Sequence, residues 1–222
     1  MKPMRIHIEE ALRYLGAAGA DDGLRAGVER MAHMLEGRLV PRFVLREFPV
    51  AQEPAGMALT GSGMVLTGRL ASGMLSSCHH AALMVCTLGA EFEALCRAWQ
   101  ARDMAQAVIL DACGSAYAEA GCDAAMDRLA ALHPGSYFTD RFSPGYGDLP
   151  LALQDAFLQA TDAGRRLGVQ ASPSHLLIPS KTVTAVIGIA DAPQPARIRG
   201  CAYCALRQSC ALRKGGQTCD GK

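Results

Sequence analysis

Hydrophobic positions along the chain change period several times, and each change marks an element. Ile8, Leu12 and Leu15 recur at helical spacing and stop at Gly16, a residue suited to ending a helix. Leu24, Val28, Met31 and Leu35 form a second amphipathic stripe that ends at Gly37. From Leu39 to Val50 the pattern becomes extended, with Pro41 and Pro49 bracketing Phe43–Phe48. Met57–Thr60 and Met64–Thr67 flank Gly61-Ser62-Gly63 and predict a hairpin. Ala82–Thr87 reads as a strand that hands over at Gly89 to a helix over Glu91–Ala101. Met104–Leu132 is the longest helical stretch and ends at Pro134-Gly135. A Gly- and Pro-rich loop runs to Pro150, and Leu151–Leu167 predicts a helix closed by Gly168. His175–Ile178 and Thr182–Ile189 are extended, and Pro193–Gly200 reads as a linker into a cysteine-rich end.

Helices and strands are intermixed without regular alternation, which predicts an α+β fold rather than a doubly wound sheet. A chain of 222 residues suffices for one buried core with a small appendage. Half of it is hydrophobic but only 5% aromatic, so Ala, Leu, Val and Met must build that core. No apolar run approaches the roughly 20 residues of a membrane span, and the first ten residues lack an apolar signal core; the expectation is an uncleaved cytoplasmic protein. Charge is unevenly spread. Arg197, Arg199, Arg207, Arg213, Lys214 and Lys222 face one acid, Asp220, in a chain of 22 basic and 21 acidic residues. A basic end of this kind can touch an acidic partner or simply be solvated, and no interleaved aromatics point to nucleic acid.

Two weaker signals lead nowhere. Gly61-Ser62-Gly63 lacks the third glycine of a dinucleotide loop and precedes a strand pattern where that motif needs a helix. His79 and His80 alternate faces in an extended chain, so both do not easily reach one metal. The informative stretch is Asp140-Arg141-Phe142-Ser143-Pro144-Gly145-Tyr146-Gly147-Asp148-Leu149-Pro150. Pro144 fixes one backbone angle and Gly145 permits a turn others resist. The loop offers a guanidinium, the natural fork for a carboxylate, and a phenol that can add a hydrogen bond. That chemistry suits a small zwitterion. The alternative is a structural turn whose Arg141 pairs with Asp140 or Asp148.

Arg141-Phe-Ser-Pro-Gly-Tyr146, followed by a proline and a helix, resembles the S-adenosylmethionine-binding signature of the activation domain of cobalamin-dependent methionine synthase. The run from Leu167 to Thr184 is similar to that family's stretch ending in a Met-x-Pro and a Ser-Val-Ser-like strand. Tyr117-Ala118-Glu119-Ala120 is similar to the Ala-Glu-Ala stretch of its long helix. Together these cover Asp111–Ile189. Leu12–Gly16 and Thr87–Gly89 resemble the short stand-alone members, which act in trans. The resemblance implies a single domain over residues 1–196, built on a curved, mainly antiparallel sheet packed by helices. It implies that Arg141 binds the carboxylate of S-adenosylmethionine and Tyr146 supports that end. Gly145 would let the backbone approach, Ser143 would line the same loop, and Glu119 would meet the ammonium or ribose. The family also uses an acid near its start, and none aligns here, which leaves the ammonium contact unassigned. The implied activity is reductive remethylation of cob(II)alamin. The cobalamin would be carried by a corrinoid-binding methyltransferase, and the electron would come from a donor such as flavodoxin or an iron–sulfur protein.

Residues 197–222 add something the family lacks. Cys201, Cys204, Cys210 and Cys219 form a Cys-x2-Cys-x5-Cys-x8-Cys pattern able to grip one metal. Zinc would make it a structural clip; an iron–sulfur cluster would make it an electron port. A tail of oxidisable thiols is the plain alternative. A second reading of the whole chain follows: a metal-binding, electron-transfer or interaction module whose arginine loop is merely structural.

Overall fold

The computed structural model describes residues 4–17, 19–194, 208–209 and 211–214. Its elements run α1 (Ile8–Tyr14), α2 (Asp22–Glu36), β1 (Arg42–Glu53), β2 (Gly56–Leu59), β3 (Met64–Leu66), α3 (Arg69–Leu75), β4 (His80–Thr87), α4 (Gly89–Gln100), α5 (Met104–Leu132), β5 (Tyr137–Phe138), α6 (Leu153–Thr161), α7 (Ala163–Leu167), β6 (Gln170–Ala171), β7 (Leu177–Ile178), β8 (Thr182–Ala190) and α8 (Ala211–Lys214). Six strands form one open antiparallel sheet in the order β3-β2-β1-β4-β8-β5; β6 and β7 pair separately. The fold is α+β, as the mixed patterning predicts.

β4 and β8 lie at the centre and read as unbroken apolar runs because both of their faces are buried. Ala81, Leu83, Val85 and Val186 face α3, α6 and α7, where they meet Met74, Leu75, Phe157 and Leu167. Ala82, Met84, Cys86, Ala185 and Ile187 face α5 through Cys122, Ala125 and Leu129. The N-terminal half of α5 packs instead on α1, α2 and α4, with Leu12, Val28, Leu35, Phe92 and Leu110 between them. α5 is thus apolar nearly all round because helices cover one part of it and the sheet another. Its start is capped by Asp103, whose carboxylate accepts from Gln106 N at 3.1 Å.

Four expectations need correcting. β1 runs past the expected end at Val50 to Glu53: it pairs with β4 up to Pro49 and with β2 from Val50 to Glu53, so the proline occupies the changeover. The expected helix over Leu151–Leu167 is two helices, broken at Asp162, which takes a left-handed φ of 54°. α3 was not expected at all, and β5 lies in a stretch read as loop.

Candidate functional site

The Arg141 loop is fastened to the sheet before it turns. Phe142 is buried and exchanges backbone hydrogen bonds with Val186 of β8, at 3.2 and 2.7 Å. Ser143 Oγ donates to Thr184 O at 2.6 Å, so its hydroxyl proton is committed to the fold. The turn closes through Gly145 N to Leu149 O at 2.8 Å, with Gly145 at φ +90°, a conformation that favours glycine. Asp148 caps α3, accepting from Arg69 N at 2.7 Å and Leu70 N at 3.1 Å. Those backbone bonds hold its carboxyl below the ordinary range.

With Asp148 engaged by α3, α5 supplies carboxylates to Arg141. Its Nη2 donates to Glu119 Oε2 at 2.8 Å. Its Nη1 lies 3.2 Å from Asp123 Oδ1, close enough for charge attraction. Yet Nη1 makes no hydrogen bond and is sealed from solvent; among the described residues it alone is a buried side-chain donor without a partner. Leaving such a group unsatisfied costs about 1–3 kcal/mol. The Arg141 side chain is 15% exposed, that of Asp123 65%. Burial works against the Arg141 charge, but Cys122, Glu119 and Asp123 outweigh it and raise its pKa. The Cys122 thiol lies well above its ordinary pKa, through hydrogen bonding to Cys86 and then through burial.

The structure therefore brings Arg141 and Glu119 together and sets Ser143 and Gly145 in the loop's frame. Tyr146 lies in the same turn, 41% exposed, its N–H donating to Ser143 O at 3.0 Å. Sequence reasoning missed Asp123, though its spacing of four from Glu119 puts both on one helix face. It also missed a groove of about 310 Å³ between α1, α4 and α5, lined among others by Tyr14, Cys96, Gln100, Val108 and Asp111. The α5 residues of its wall (Met104, Ala107, Val108, Asp111, Ala112 and Ser115) form one stripe that continues to Glu119. Tyr14 faces that end: burial, and then the charges of Glu119 and Glu10, raise its pKa. Lys181 at the head of β8 fixes the wall, donating to Asp111 Oδ2 at 2.9 Å and Ser115 Oγ at 2.8 Å. Cys96 is no ready nucleophile, since burial pushes its thiol up to about 11.

Among the described residues no cluster of three metal-ligating side chains occurs, and no helix is long and apolar enough to cross a membrane. Cys201, Cys204, Cys210 and Cys219 lie outside the described residues.

No protein-family model matches this sequence, and no curated protein matches it. Among solved structures the chain is similar to the crystal structure of the MetH reactivation domain bound to AdoHcy. The two share 14% sequence identity and superpose with a TM-score of 0.64 over 99% of this chain and 90% of that one. The likeness at that identity is one of architecture: this chain has the fold of the MetH reactivation domain.

Proposed function

We propose that this protein binds S-adenosylmethionine at the Arg141 loop. We further propose that it serves in the cytoplasm as an accessory protein for reductive remethylation of cob(II)alamin on a corrinoid methyltransferase acting in trans. The observation that carries the reading is Arg141 Nη1, a buried guanidinium donor that makes no hydrogen bond, with only the charge of Asp123 beside it, at the root of a rigid glycine loop. A carboxylate aligned to accept that N–H is what such a donor lacks. The adjoining groove, about 310 Å³, falls in the size range of small-molecule pockets and gives the rest of the ligand room. The fold supports the reading too, because the similar MetH domain was crystallised with AdoHcy.

When bound, S-adenosylmethionine supplies a methyl group on a sulfonium for the reduced corrinoid of the partner, with an electron from a flavodoxin or iron–sulfur donor. This chain's residues do the positioning. Arg141 holds the amino-acid end, Gly145 keeps the loop backbone bare enough for close approach, and Glu119 orients the guanidinium through Nη2. The stripe from Ser115 to Met104 excludes water along one side. No residue need move a proton.

Titration calorimetry should give S-adenosylmethionine binding by the wild type. Arg141→Ala should weaken it by about 1.5–3 kcal/mol, the value of a hydrogen bond to a charged group. A partner trapped as cob(II)alamin, given reductant, S-adenosylmethionine and this protein, should regain the methylated cobalt spectrum only when every component is present. Equal rates without this protein, across the corrinoid proteins of the source cell, would overturn the accessory role.

A further inference from the structure

The zwitterion's second charge needs a partner that the resemblance leaves unassigned, and the structure narrows the choice. One carbon separates the ammonium of an α-amino acid from its carboxylate. The acid that takes the ammonium must therefore neighbour the base that takes the carboxylate. Four acids near the start of the chain are already engaged. Glu9 bonds Arg25 at 2.7 Å, Glu10 bonds Arg13 at 2.9 Å, and Glu36 takes both Arg5 and Ile6 N at 2.6 Å. Asp21 caps α2 through Leu24 N at 2.8 Å, and Asp111 is held by Lys181. Beside Arg141 stand Glu119, already hydrogen-bonded to Nη2, and Asp123, which is 3.2 Å from Nη1 without a hydrogen bond to it.

Resting on the S-adenosylmethionine reading, we infer that Asp123 receives the ligand's α-ammonium while the ligand's carboxylate accepts from Arg141 Nη1. Asp123 is 65% exposed and so has room to pivot outward, whereas Glu119, at 31%, is pinned. One turn of the Asp123 side chain opens Nη1 to the carboxylate and carries its own oxygen to the ammonium. Two hydrogen-bonded ion pairs then replace one pair that met at distance only. The orphaned donor gains its partner, and the net charge of the cluster is unchanged. The site becomes a recogniser of α-amino acid zwitterions rather than of carboxylates in general.

The probe is AdoHcy against its deamino analogue, which keeps the carboxylate and replaces the amino group by hydrogen. Calorimetry with wild type should favour AdoHcy by about 10- to 150-fold, the range for one hydrogen bond to a charged group. Asp123→Ala, an exposed substitution that leaves the core intact, should bind the two ligands almost equally, with the deamino analogue bound as by wild type. Glu119→Gln should keep the wild-type preference, though both ligands bind less tightly. A preference retained in Asp123→Ala, or lost only in Glu119→Gln, overturns this assignment and leaves the binding loop standing. Wild type that binds neither ligand overturns the reading beneath it as well.

Discussion

Replacing Gly121 by alanine should destabilise the protein, against the ordinary rule for helices. In an open helix position alanine is better than glycine by about 0.8–1.0 kcal/mol. At Gly121 an added Cβ would lie 2.6 Å from Cys86 Sγ and 2.6 Å from Pro41 Cβ, inside any real contact distance. Overpacking of that kind costs about 1–3 kcal/mol. The balance is a net loss of about 1 kcal/mol, or a melting temperature lower by about 2–4 °C for a chain of this size. Gly73 in α3 is the internal control, because nothing stands within 4 Å of the Cβ it lacks. Gly73→Ala should raise the melting temperature by about the same amount. Thermal unfolding followed by circular dichroism reads both. The reasoning extends to the site: Gly121 lies between Glu119 and Asp123, so α5 pushed off β4 moves both carboxylates relative to Arg141. Ligand binding should weaken in Gly121→Ala although no altered atom touches the ligand. Adding Cys86→Ala removes one of the two obstructions and should restore part of both losses. A Gly121→Ala protein as stable as wild type would refute the close approach of α5 to the sheet.

Val108→Trp, at a half-exposed position of the groove, should weaken S-adenosylmethionine binding while the melting temperature stays put; undiminished affinity would remove the groove from the ligand's path. The Asp148 carboxyl should titrate below the ordinary 3.8, so its cap on α3 persists above that pH and is lost as the pH falls through the lowered value. A carbon-13 carboxyl titration by NMR would show an ordinary value instead if Arg69 and Leu70 were not its donors. Anaerobically prepared protein should carry a metal that Cys201→Ser with Cys204→Ser removes, colourless for zinc and brown for iron–sulfur; a metal-free wild type leaves the oxidisable-thiol reading of residues 197–222.

What the sequence disclosed follows from how locally each feature is determined. α5 was legible because its apolar run and its terminating Pro134 lie within the element or beside it. β4 and β8 were legible because burial on both faces leaves an unbroken apolar run. α3 was not, and the reason is physical. It is seven residues long, its first residue follows Gly68, and the side chain that caps it is Asp148, 79 positions away. The break between α6 and α7 left no mark either. Phe157, Leu158, Thr161, Ala163 and Leu167 are all buried, so the apolar pattern runs straight through Asp162, a non-glycine residue in a left-handed conformation.

The site divides the same way. Its loop could be read because Pro144, Gly145 and Arg141 are contiguous, but the partners of Arg141 could not be read from the loop. The neighbouring Asp148 is taken by α3, and the carboxylates come from α5, with Glu119 22 residues upstream. This separation has a consequence for how the site works. Phe142 and Ser143 fasten the loop to β8, and Asp148 fastens its far end to α3. Arg141 is joined to α5 by Glu119 alone through a hydrogen bond, so the guanidinium bridges two rigid bodies whose spacing is set elsewhere, at Gly121. On the proposed reading the ligand carboxylate takes Nη1 while Glu119 keeps Nη2, so the affinity should depend on how far α5 stands from the sheet. Shifts of α5 should therefore tune binding without any change in the loop.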